Sequence, residues 1–138
     1  MIRLRQEHVN EIFAHAREAA PAECCGLIGG TDDIRATSIY RLRNISKDER
    51  VSYEAAPEDL FAAQRQMRQR DEQLIGIYHS HPRATEPQPS DTDVRLAFYP
   101  SAIYLIIGLA GTSPIMRAFR ISERELNWQP VEYAVADE

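Results

Sequence analysis

The stretch Leu74–Asp93, LIGIYHSHPRATEPQPSDTD, changes character at its midpoint. From Leu74 to Ser80 both alternating faces are apolar, the pattern of a central strand covered on each side. Pro82, Pro87 and Pro89 cannot donate to a ladder, so Pro82–Pro89 reads as loop, and a short helix is expected after Ser90. A strand buried on two sides needs a layer above it and a layer below it.

The flanking sequence supplies both layers. Met1–Arg5 is expected to be a short edge strand, and Val9, Ile12, Phe13, Ala16 and Ala20 then recur at helical spacing until Pro21. Cys24–Ile28, closed by GGTDD, reads as a buried strand and turn, with a returning strand at about Arg35–Arg43. Val51–Glu54 is expected to form a brief strand. Pro57 then opens a helix running toward Arg70, with Leu60, Phe61, Ala63 and Met67 on its inner side. Ala102–Leu109, Ile115–Ile121 and a weaker Leu126–Val135 complete the strands. The order predicts an α/β (α+β) sandwich, a mixed sheet flanked by two main helices plus a short third one. At 138 residues and 43% hydrophobic composition, a single domain over 1–138 is expected.

Charge and cysteine content remove several function classes. A net charge of −5 gives no general attraction to nucleic acid or to an anionic membrane, so neither is expected as a partner. Residues 1–23 carry charge in every turn, unlike a signal peptide, and no later segment approaches a membrane span; a cytoplasmic location is expected. The cysteines are the neighbours Cys24 and Cys25, a spacing that makes poor structural disulfides. They read as buried strand residues that face opposite sides of the sheet.

The chemistry gathers where the central strand ends. In extended chain His79 and His81 project to one face while Ser80 points away, so both imidazoles can reach one metal ion. A catalytic zinc takes three protein ligands and keeps a fourth position open; Asp93, in the first turn of the short helix, is the candidate third ligand. Asp91 rivals it on proximity. Ser90 followed three residues later by an acid also makes a helix cap, which by itself needs no metal. Two alternating histidines alone would favour a structural or surface pair near a strand end, and Glu23 alone a solvated strand start.

Taken together, Glu23, then His79-Ser80-His81-Pro82, then Ser90-Asp91-Thr92-Asp93 resemble the JAMM (MPN+, JAB-domain) metalloproteases. Their motif is a Glu followed far downstream by His-x-His and Ser-x-x-Asp. The flanks Ala22–Leu27 and Gly76–Tyr78 extend the likeness over most of the chain. The resemblance implies a mostly antiparallel curved sheet, a layout shared with cytidine deaminases. It also implies a zinc ion on His79, His81 and Asp93, Glu23 as general base, and Ser90 donating to the oxyanion. The implied reaction is hydrolysis of an amide after the C-terminal Gly-Gly of a ubiquitin-like or sulfur-carrier protein. The loops Asn44–Arg50 and Arg83–Pro89 are the expected walls of the approach.

Other readings are weighed by what they lack. A catalytically silent scaffold of the same fold would miss the metal ligands. The zinc deaminase signature, His-x-Glu with Pro-Cys-x-x-Cys, is absent. A cysteine protease would need an activated thiol, and a buried apolar strand disfavours one. A module serving phage-tail peptidoglycan hydrolysis usually carries a second catalytic domain, for which this chain has no room. His8 and His15 read as part of a partly solvated helix face.

Overall fold

The computed structural model describes residues 1–137. In chain order the elements are β1 (Ile2–Leu4), α1 (Gln6–Ala19), β2 (Cys25–Gly30), β3 (Ala36–Leu42) and α2 (Pro57–Gln69). There follow β4 (Gln73–His81), α3 (Asp91–Arg95), β5 (Ile103–Gly108), β6 (Ile115–Ser122), β7 (Asn127–Val131) and β8 (Tyr133–Val135). The main sheet runs β3-β2-β4-β5-β6-β7. Its pairings are antiparallel except β4 with β5, and the fold is the expected α+β sandwich with three helices.

β4 is central because both its faces are apolar, and each face meets a helix. On one side Val9, Ile12 and Ala16 of α1 pack over Ile28, Tyr78 and Leu105. On the other, Ala63 and Met67 of α2 pack over Leu27, Ile77 and Ile106. Cys24 belongs to the first layer and Cys25 to the second, as strand alternation requires. The alternation of β4 is broken once: Ile28 pairs with Gly76 and Gly29 with Leu74, leaving Ile75 without a partner on β2. Beyond that bulge the phase is fixed, with Ile77 on the α2 side.

Several expectations are corrected. Val51–Glu54 is not a strand, because Asp48 O takes the N–H groups of Val51 and Ser52 in turns and only one bridge forms, Asn44 with Ala55. Leu126–Val135 divides into β7 and β8 when the chain leaves β6 to pair in parallel with β1; the first strand is an edge strand as expected, in this two-stranded sheet, with one bridge from Arg3 to Arg35 just before β3. Phe61 is 64% exposed; Leu60, Ala63 and Met67 form the inner stripe, and the next residue round the helix turns outward. Of the two helix histidines expected to be partly solvated, His8 is instead buried, with its Nδ1 accepting the Arg5 N–H at 3.0 Å, while His15 is half-buried as expected and its Nδ1 lies 2.6 Å from the Tyr78 hydroxyl.

Two glycines let the chain approach itself. A Cβ on Gly26 would fall 2.1 Å from the Tyr78 ring, which lies across β2 to reach His15. A Cβ on Gly108 would fall 2.5 Å from the Ala84 carbonyl, so this bare position on β5 seats the proline-rich loop. Ala84 O also accepts the Ala110 N–H at 3.0 Å. No helix among the described residues is long and apolar enough to cross a membrane.

Candidate metal centre

His79 and His81 close β4 on its α2 side. Ser80 points into the other layer, fully buried, with its Oγ accepting the Cys24 N–H at 2.8 Å and its own N–H donating to Cys24 O at 3.2 Å. This two-way bond locks β4 to the start of β2 and thereby brings Glu23, the residue just before, beside the histidines. His79 is itself buried, under the Tyr53 ring at 4.7 Å between centroids.

Asp93 arrives from the crossover between β4 and β5. Ser90 caps α3: its Oγ accepts the Asp93 N–H at 3.0 Å, and its own N–H donates to Asp93 Oδ2 at 2.9 Å. The cap and the candidate ligand are thus one device, since the same Oδ2 faces both imidazoles. It lies 3.1 Å from His79 Nε2 and 3.0 Å from His81 Nε2, and the two nitrogens are 3.2 Å apart. Asp91 is exposed on α3 and joins none of these contacts.

This triangle tests whether zinc fits. With ligands at about 2.0–2.1 Å, tetrahedral zinc requires donor-to-donor edges of roughly 3.3 Å. The three atoms meet that spacing, and a nitrogen, nitrogen, carboxylate set is a usual zinc donor set. Glu23 completes a looser group with the same imidazoles, their ligand atoms all within 4.8 Å of one another. The tighter triangle is the one through Asp93. Two buried atoms lack a hydrogen-bond partner among the described residues, Glu23 Oε1 and His79 Nδ1.

The electrostatics separate the two carboxylates. Burial pushes the Glu23 carboxyl up to about 7, with His81 opposing and Asp93 reinforcing. Burial would also raise Asp93, but His79, His81 and the Ser90 N–H outweigh it and hold that carboxyl well below its ordinary range. Burial and the imidazoles thus leave the two carboxyls displaced in opposite directions. The thiols of Cys24 and Cys25 are pushed up by burial to about 11 and about 12, which leaves both unreactive.

Glu23, His81 and Ser90 open on a chamber of about 340 Å³ whose walls include Arg50, Arg83 and Ala84. The walls therefore come from the two loops expected. A larger cavity of about 550 Å³, lined in part by Arg3, Arg5 and Arg35, sits where β2 ends and shares no residue with this chamber. Tyr53, Asn44 and Ser80 also build the site, through contacts that no local sequence pattern announces. Asn44 donates to the Glu23 carbonyl at 3.0 Å, and only its place in a polar loop opposite Glu23 could have signalled this.

Residues 5–122 match the family model described as prokaryotic homologs of the JAB domain. The desampylase of Haloferax volcanii is 37% identical over 102 residues, covering 70% of this chain and 73% of that protein. The CysO-cysteine peptidase of Mycobacterium tuberculosis is 31% identical over 129 residues, 93% of this chain and 88% of that one. The solution structure of a Desulfitobacterium hafniense protein superposes with a TM-score of 0.87 at 35% identity, covering all of this chain and 94% of the other.

Proposed function

This chain belongs to the prokaryotic JAB-domain family, and on that premise we propose that it is a zinc-dependent peptidase or isopeptidase cutting an amide after the Gly-Gly tail of a ubiquitin-like or sulfur-carrier protein. The substrate class is carried over from relatives named for desampylation and for cysteine release from CysO. The observation that carries the chemistry is the His79, His81, Asp93 triangle with the buried, unpartnered Glu23 oxygen beside it.

His79, His81 and Asp93 would hold the ion, which when bound supplies Lewis acidity and makes water nucleophilic near neutral pH. Glu23 takes a proton from the attacking water as the new C–O bond forms. It returns that proton to the amine nitrogen as the C–N bond breaks, giving a carboxylic acid and a free amine. The Ser90 oxygen is occupied as acceptor by Asp93 N–H, which leaves its O–H free to donate to the carbonyl oxygen as charge develops. Tyr53 covers His79 and keeps bulk water from that imidazole.

The test is metal content by elemental analysis of the wild type and Asp93→Ala, followed by hydrolysis of a Gly-Gly-tailed carrier extended at its C-terminus. Near one equivalent of zinc in the wild type, its loss in the variant, and cleavage by the wild type alone are expected. A protein that takes up no metal when zinc is supplied overturns the reading and favours a silent scaffold.

A further inference from the structure

Arg50 and Arg83 face the chamber from its two opposing loops, on the same cavity surface as Glu23, His81 and Ser90. Neither guanidinium has a carboxylate within ion-pair distance among the described residues, whereas Arg41 and Arg43 nearby are satisfied by Glu11, Glu18, Glu58 and Asp59. Arg50 and Arg83 are both solvent-exposed, as are other arginines without an ion pair, and what sets these two apart is their place on the wall that also holds Glu23, His81 and Ser90.

Resting on the hydrolase reading above, we propose that Arg50 and Arg83 select amides whose leaving side carries a free α-carboxylate, so that the group released is a single amino acid. A guanidinium presents paired donors that match a carboxylate, and its charge-assisted bonds are about twice as strong as neutral ones. A lysine side-chain amine as leaving group is flanked by peptide bonds and brings no carboxylate to this place. A bound zinc would already offset Glu23 and Asp93, so the two arginines on the chamber wall are left free to pair with a carboxylate on the leaving group.

The experiment uses the zinc-loaded Glu23→Gln variant, so that binding is read without turnover. Its probes are acetyl-Val-Gly-Gly-Ala as the free acid and as the carboxamide, titrated by calorimetry. The acid is expected to bind about tenfold or more tightly than the amide. Adding Arg50→Gln and Arg83→Gln should bring that ratio toward one, and the paired lysine substitutions should restore part of it. A ratio near one before the arginines are changed, a ratio that survives their loss, or binding of neither peptide at the highest soluble concentration overturns the proposal. Turnover by the wild type separates the two readings. Equal cleavage of acid and amide sinks the selection and leaves the hydrolase standing; carboxylate-dependent binding with no cleavage of either does the reverse.

Discussion

Asn44 grips the backbone of Glu23, its Nδ2 donating to the Glu23 carbonyl at 3.0 Å. The same amide donates to Ser52 O at 3.0 Å, and its Oδ1 accepts the N–H groups of Ser46 at 2.9 Å and Glu54 at 3.0 Å. One side chain ties the start of β2 to the loop that carries Arg50 and Tyr53. Asn44→Ala should cost about 1–3 kcal/mol in stability, since it strips partners from several backbone groups at once. It should lower turnover while zinc content stays near that of the wild type. Urea unfolding beside elemental analysis checks this, and wild-type stability would show that the loop is held by other means.

Glu23 touches the reacting water in the proposed mechanism and contributes nothing to the tight donor triangle. Glu23→Gln should therefore keep its zinc and lose about 10²–10⁴ in kcat, the usual worth of a general acid–base group. Asp93→Asn should lose most of its zinc. Metal analysis and single-turnover kinetics on the two proteins distinguish a proton carrier from a ligand; equal zinc loss in both would merge the roles.

The contact between Gly108 and Ala84 sets how closely the proline-rich crossover lies on the sheet. Gly108→Ala drives a methyl group toward a backbone oxygen at 2.5 Å, which no side-chain rotation relieves. A loss of about 1–3 kcal/mol is expected from overpacking. Because Arg83 shares that segment, KM should rise more than kcat falls. Thermal unfolding and steady-state kinetics read the two effects, and unchanged KM would disconnect the loop from substrate.

His15 predicts a pH dependence of stability. Its pKa is lowered from 6.5 to about 4, chiefly by burial and then by Arg41, against Glu18 and Glu11. The folded-state value lies below the unfolded one, so between those values the unfolded chain binds the extra proton. The contribution is complete above about 6.5 and is lost as pH falls through that window toward 4. His15→Phe should flatten the stability curve between pH 6.5 and 4 relative to the wild type. Denaturant midpoints at several pH values measure it, and parallel curves for the two proteins would reject the assignment.

The two-sided apolar pattern of Leu74–Ser80 carried the architecture, because only a strand between two helical layers buries both faces. The candidate site was legible for a related reason: strand alternation sends His79 and His81 to one side, and the cap at Ser90 fixes Asp93. What stayed hidden depends on contacts between distant segments. Nothing local at Ser80 announces that it bonds the backbone of Cys24, and nothing in Val51–Glu54 reveals that turns at Asp48 and the amide of Asn44 take the donors a strand would use. Phe61 misled because a helical stripe drawn from sequence can be placed one residue too wide. The half-buried face of His15 is legible in the helix pattern, but its partner Tyr78 is not, because it lies 63 positions away.

β4 and β5 are the one parallel pair in the main sheet, and parallel neighbours cannot be joined by a tight turn. The chain must travel from the end of β4 back to the start of β5, and residues 82–102 are that journey. Ser90, Asp93 and Arg83 all ride on it, while the imidazoles stay with the sheet. The scaffold thus has an interchangeable part: a different crossover grafted between His81 and Ile103 would keep both histidines in register while bringing its own counterparts to Asp93, Ser90 and Arg83, a route to new selectivity that leaves the strand pairing untouched.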